Sequence, residues 1–123
     1  MKAKDAIGRY GESVAARHLA DAGLTIIERN WRCTAGELDL IAVDGDVLVF
    51  CEVKTRSSDA FGDPAEAVNS RKATRIRGLA IRWLREQRSN EVATFWPEMR
   101  FDVVSVRRQR QGAATVVHLR GAF

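Results

Sequence analysis

The chain is poor in cysteine and histidine. Two cysteines, Cys33 and Cys51, do not make a disulfide framework, and a reducing, cytoplasmic setting is expected. With only His18 and His118 beside them, a zinc-ligand cluster is not expected either. No stretch approaches the roughly 18 apolar residues of a membrane span, so no membrane partner is expected. The opening MKAKDAIGRYGE lacks the apolar core of a secretory signal. Internal repeats, linkers and low-complexity segments are missing, and 123 residues suffice for one domain with a single core. Lysine is scarce among the cations: of 20 basic residues, only Lys2, Lys4, Lys54 and Lys72 are lysines.

The charge that is present is unevenly placed. From Ser70 to the end there are 12 Lys+Arg against 4 Asp+Glu, whereas residues 1–69 hold 8 against 12, within a net charge of +4. A basic second half beside an acidic first half suits a polyanionic ligand held near a cation. The plainer reading is arginine-rich composition without functional meaning.

The stretch Gly36 to Arg56, GELDLIAVDGDVLVFCEVKTR, reads as two strands joined at Asp44-Gly45-Asp46. Asp-Gly between apolar runs is a strong hairpin signal, because such turns need positive φ. With a loop of Asp44-Gly45, Asp39 faces Phe50. With a loop of Gly45-Asp46, it faces Glu52. In both registers side-chain alternation puts Asp39 on the face of Leu48, Phe50, Glu52 and Lys54, unless a bulge intervenes. Val47, Val49, Cys51 and Val53 line the other face, and a strand apolar on both faces is usually covered on both sides.

Close carboxylates raise each other's pKa unless a cation sits between them. Mg²⁺ or Mn²⁺ suits oxygen ligands, with phosphate and water completing the shell. A nearby lysine can orient water or stabilise charge on a phosphoryl oxygen. The reaction class that fits Asp39, Glu52 and Lys54 is metal-dependent phosphodiester hydrolysis. The bland alternative is a solvated strand end, with Asp39 paired to an arginine.

Around this hairpin, Asp5 to Ala22 reads as a helix capped by Asp5 and stopped at Gly23. Ile7, Tyr10, Gly11, Val14, Ala15 and Leu19 form its apolar face, and Gly8 and Gly11 suggest close packing. Glu12 lies beside that face, as a third carboxylate or simply a solvated residue. Leu24 to Trp31 reads as a strand, with Trp31 as core or lid rather than as a base-stacking platform. Residues 55–64 form a polar segment after Lys54, from which Arg56 could contact a phosphate. Ser70 caps a helix from Arg71 to Arg88, whose apolar sector holds Ala73, Ile76, Leu79, Ala80, Trp83 and Leu84. Arg71, Arg75, Arg82 and Arg85 lie roughly opposite, as a solvated face or as phosphate contacts. Lys72 falls within the apolar sector and must snorkel or reach something polar at the sheet. A connection over Asn90–Pro97, a strand from Arg100 to Val106 with Asp102 paired to a basic neighbour, a basic loop over Arg107–Gly112 and a last strand from Ala114 to Leu119 complete the chain. The class is α/β: a mixed sheet of about five strands flanked by helices, in the order αβββαββ.

On GRYGESVAARHLADAG, ERNWR, GELDLIAVDGDVLVFCEVKTR, FGDPAEAVNSRKATRI, RFDVV and HLRGAF, the sequence resembles the YraN family. That family is similar to the PD-(D/E)xK nucleases, near the archaeal Holliday-junction resolvases. The resemblance covers almost the whole chain and implies a restriction-endonuclease-like core over residues 1–123. It also implies Asp39 and Glu52 as ligands of Mg²⁺ or Mn²⁺, Lys54 as the catalytic lysine, Glu12 as the helix carboxylate and Lys72 as a supporting cation. Leu38 stands where the motif has proline, which leaves the acid in place. The expected function is hydrolysis of structured DNA, with Arg56 and Lys72 on the backbone. A resolvase-like role would favour a two-fold homodimer. The rivals are a non-catalytic nucleic-acid-binding module of the same fold and a protein-interaction domain.

Overall fold

The computed structural model describes residues 3–57, 62–88 and 96–123, with side chains from Ala6 onward. Its elements are α1 (Ala3–Asp21), β1 (Thr25–Cys33), β2 (Gly36–Asp44), β3 (Val47–Arg56), a 3-10 turn (Pro64–Ala67), α2 (Ser70–Arg88), β4 (Glu98–Arg107) and β5 (Thr115–Leu119). This is the expected mixed α/β order. Ser58 to Phe61 of the segment expected after Lys54, and Asn90 to Phe95 of the expected connection, lie outside the described residues.

The sheet order is β1-β2-β3-β4-β5. β3 and β4 run parallel, and the other neighbours are antiparallel. Parallel neighbours need a long crossover, and α2 lies in that connection. Each face of the sheet carries one helix. Ala15, Ala16 and Leu19 of α1 pack on Leu40, Val49, Cys51 and Val104. Ile76, Leu79, Ala80 and Trp83 of α2 pack on Ile41, Leu48, Phe50 and Trp31. Trp31 is therefore core, and the apolar sector expected of α2 is the buried one. No helix among the described residues is long and apolar enough to cross a membrane.

The β2–β3 turn takes the second of the two registers. Asp44 pairs with Val47 and Leu40 with Cys51, so the loop is Gly45-Asp46. Gly45 has φ 61°, a conformation glycine adopts freely. α1 ends as expected: Leu24 N–H donates to the Leu19 carbonyl and Gly23 N–H to that of Ala20, both at 3.0 Å, the paired bonds of a Schellman motif.

Three expectations about the helices are corrected. α1 runs from Ala3, so Asp5 lies within the helix and not at the position before it. The cap of α2 is Asn69, whose side-chain oxygen accepts from Lys72 N–H at 2.9 Å, while Ser70 is already helical. Ile7 and Tyr10 are 36% and 41% exposed, because α1 meets the sheet through Gly11, Ala15, Ala16 and Leu19 and its first turns lie beyond that contact.

Candidate functional site

The ladder between β2 and β3 is recorded as far as Leu40↔Cys51 and then stops. Beyond it, Val53 N–H donates to Asp39 Oδ2 at 2.9 Å. On the other flank β1 pairs Arg29↔Leu40 and Trp31↔Leu38, and Asn30 between them has φ 52°. Asparagine tolerates this left-handed conformation better than most residues. The face alternation breaks at the same level, since Leu40 joins the α1-side core while both Ile41 and Leu38 join the α2-side core. The unbroken alternation expected through Asp39 is thus corrected. Asp39 sits at a kink in β2, its carboxylate turned toward β3.

This position has an electrostatic consequence. The Asp39 carboxyl is pushed up to about 8, first by burial and then by the Glu52 charge, with Glu12 and Glu37 adding to it and the Val53 N–H opposing. An isolated aspartate titrates near 4. Glu52, on β3, is close enough to act on Asp39 and is itself engaged: Lys72 Nζ stands 2.7 Å from its Oε1. Lys72 thereby finds the polar partner at the sheet that its place in the apolar sector of α2 demanded.

Glu12 arrives from α1. Gly11 is buried, and a Cβ there would lie 1.7 Å from Thr55 Oγ1, so only glycine lets α1 approach β3 so closely. The next residue is Glu12. Its carboxyl is raised by burial and by Glu37, against a hydrogen bond from Asn30 and the charges of Arg32 and Arg9. Gly8, expected to pack closely too, has nothing within 4 Å of the Cβ position.

Lys54 is exposed, two residues along β3 from Glu52, and no ion pair to it is found among the described residues. Arg56 ends β3. Its carbonyl accepts from Arg108 N–H at 2.8 Å, and its Nη1 lies 2.7 Å from where a Gly62 Cβ would stand. The fold therefore joins Glu52 and Lys72 directly and sets the Glu52 charge near Asp39. Glu12 is within electrostatic reach of Asp39 but bonded to Asn30, and Lys54 and Arg56 continue along the same strand. Among the described residues no group of three or more His, Cys, Asp or Glu side chains forms a ready metal cage.

Two features escaped the sequence reading. Asn30 is one; the cue was an asparagine interrupting a strand. The other is the setting of Asp102. This fully buried carboxylate accepts from Arg100 Nε at 2.8 Å and Nη2 at 3.0 Å, from Gly121 N–H at 2.9 Å, and contacts His118 Nε2 at 2.7 Å. Burial works to raise its pKa, but the Arg100, Gly121 and His118 hydrogen bonds prevail and hold it below the usual value. The network pins the C-terminal segment onto β4. Pairing of Asp102 to a basic neighbour was expected; Gly121, beyond Leu119 in the chain, and His118 were not.

The chain matches the family model described as "Uncharacterised protein family UPF0102" over residues 11–106. That span contains Glu12, Asp39, Glu52, Lys54, Arg56 and Lys72. A UPF0102 protein of Beutenbergia cavernae is 60% identical over 121 residues, covering 98% of this chain and 98% of that protein. One from Frankia casuarinae is 57% identical over 123 residues, 100% of both chains. A third, from Streptomyces griseus, is 51% identical over 121 residues, 98% of each. With more than half of its length matched by the model and full-length relatives well above 30% identity, the chain belongs to the UPF0102 family.

Proposed function

We propose that this is a cytoplasmic, metal-dependent nuclease of the PD-(D/E)xK kind, resembling the YraN proteins and hydrolysing phosphodiester bonds of structured DNA. The observation that carries the reading is the placement of Asp39, its carboxylate turned toward β3 and accepting from Val53 N–H at 2.9 Å, where burial and the neighbouring Glu52 raise its pKa. A partly buried acid whose ionisation is opposed by burial and by a neighbouring carboxylate suits a cation. The donor set fits a hard one. Mg²⁺ characteristically takes one or two protein carboxylates and completes its shell with water and phosphate, so no larger cage is required.

Asp39 and Glu52 would hold Mg²⁺ or Mn²⁺, which when bound supplies Lewis-acid polarisation of a phosphoryl oxygen and a more acidic water. The remaining work falls to the chain's own groups. Val53 N–H fixes the Asp39 carboxylate. Lys72 holds Glu52 in place. Lys54, free of described partners, can donate to the attacking water or to the phosphoryl oxygens as negative charge builds there. Glu12 adds negative charge beside Asp39. Arg56 and the arginines of the second half would hold the backbone without reading bases, so recognition would follow DNA shape. A branched substrate would favour a two-fold dimer.

A second reading is a non-catalytic nucleic-acid-binding module. The Lys72–Glu52 ion pair favours it, because Glu52 already has a cationic partner. Cleavage assays decide. Duplex, single-stranded, flap and four-way DNA are incubated with Mn²⁺ or with chelator, using the parent and Glu52→Gln. Mn²⁺-dependent cleavage lost in Glu52→Gln supports the nuclease. Salt-sensitive binding without cleavage of any substrate supports the module.

A further inference from the structure

The outer side of α2 borders a groove of about 540 Å³ that lies outside the acidic site. Its lining includes Arg75, Arg82 and Arg85, with Gly78, Leu79 and, from the β1–β2 turn, Ala35. Arg82 Nη2 donates to Thr34 Oγ1 at 3.3 Å, which ties one guanidinium to that turn. Arg75 and Arg85 are exposed, with no ion pair to either among the described residues. Three cations thus share one trough whose lining, among the described residues, holds no carboxylate.

Gly78 makes the trough more than a solvated face. Glycine is among the poorest residues inside a helix, and Gly78 lies mid-helix in α2. Its φ is not positive, and an added Cβ would meet nothing within 4 Å. Nothing in the described fold needs glycine there. Its effect is to keep the floor of the groove open between the arginines, as close approach by a ligand backbone requires.

We infer that this groove binds the sugar–phosphate backbone of a nucleic-acid strand and leads it toward the carboxylate pair. Arginine forks match phosphate oxygens in pairs and stay charged at any physiological pH. The direction follows from the helix: Lys72, one turn before Arg75, reaches Glu52. From Arg75 to Arg85 the row extends for roughly 15 Å, about four nucleotides of a duplex strand. The inference rests on the nuclease reading for the chemistry at its Glu52 end, but binding along α2 needs no metal.

The test uses the full chain without metal, a fluorescent single-stranded 20-mer and a four-way junction, titrated by anisotropy at several KCl concentrations. Arg75→Gln with Arg85→Gln is expected to weaken binding about 10- to 100-fold and to lower the slope of log K against log[salt] by about two. Gly78→Leu keeps every charge; it is expected to weaken binding about 10-fold, with the slope unchanged and the melting temperature equal or higher. Parent-like binding by Gly78→Leu would overturn the inference, leaving the arginines as a solvated stripe. So would parent protein that binds phosphatidylcholine–phosphatidylglycerol vesicles in preference to either DNA. Groove variants that bind and cut like the parent, beside an inactive Glu52→Gln, overturn the groove alone. Groove variants that lose binding, in a protein where nothing cuts, uphold the groove and overturn the nuclease.

Discussion

Lys72 Nζ lies 2.7 Å from Glu52 Oε1, so the first turn of α2 is tied to the strand that carries half of the acidic pair. The side chains are 28% and 14% exposed, which places the pair between a surface and a buried ion pair. Lys72→Met is expected to destabilise by about 1–2 kcal/mol in urea unfolding. Much of that loss is the penalty of leaving Glu52 unpaired beside Asp39. Adding Glu52→Gln to Lys72→Met should therefore recover stability. A double mutant less stable than Lys72→Met would refute the coupling.

Asp39 should make the protein more stable toward acid within a defined window. Its folded pKa is raised from 3.8 to about 8. Between those values the native state binds more protons than the unfolded chain, so this group's contribution is full below about pH 4 and lost as pH rises through 8. Asp39→Asn keeps an acceptor for Val53 N–H and removes the repulsion. It should raise the melting temperature at pH 8 and flatten the decline between pH 5 and 8. Mn²⁺ should raise the melting temperature of the parent and not of Asp39→Asn. The same Mn²⁺ response in both would reject Asp39 as a ligand.

The hairpin was legible because strand period and turn chemistry are local. The apolar runs on both faces of β3 forecast its central place, and the lone lysine in the apolar sector of α2 forecast a polar partner at the sheet. The kink at Asp39 was not legible. It lies beside Asn30 of β1, whose left-handed φ falls between the pairs Arg29↔Leu40 and Trp31↔Leu38, a relationship across the sheet that no local pattern announces. The burial of Asp102 by Arg100, His118 and Gly121 is likewise a product of three-dimensional closure. Tyr10 and Ile7 were misplaced because periodicity marks a stripe and does not say how far along it the contact reaches.

Gly11 and Gly8 should respond oppositely to the same change. A Cβ at Gly11 would lie 1.7 Å from Thr55 Oγ1 and 2.8 Å from Thr55 Cβ. Gly11→Ala is expected to destabilise by about 1–3 kcal/mol through overpacking, with partial rescue by Thr55→Ala. Gly8→Ala meets nothing and should stabilise by about 0.5–1 kcal/mol. Equal effects at the two sites in thermal melts would show that α1 does not rest on Thr55.

Asp102 sets the acid limit of stability. Its pKa is held below 3.8, so its contribution is present above that value and lost as pH falls through the depressed one. Asp102→Asn leaves Arg100 and His118 facing a neutral amide in a fully buried position. The expected cost is about 3–5 kcal/mol at pH 7, shrinking in acid as the parent carboxylate protonates. A gap between parent and mutant that stays undiminished down to the lowest pH at which both fold would mean that packing, not charge, is what the substitution removes.

Lys54 offers the sharpest separation of chemistry from architecture. It is exposed, and no described carboxylate holds it, so Lys54→Ala should leave stability within about 0.5 kcal/mol. Lys72→Met, by contrast, perturbs the fold before it perturbs any reaction. If Lys54 donates to charge that grows only as the phosphodiester is attacked, its removal should lower kcat at least about 100-fold. DNA affinity and the Mn²⁺-induced rise in melting temperature should stay at parental levels, because neither depends on the reacting phosphoryl group. Cleavage that persists in Lys54→Ala at the parental rate would remove this residue from the mechanism, whatever becomes of the metal site.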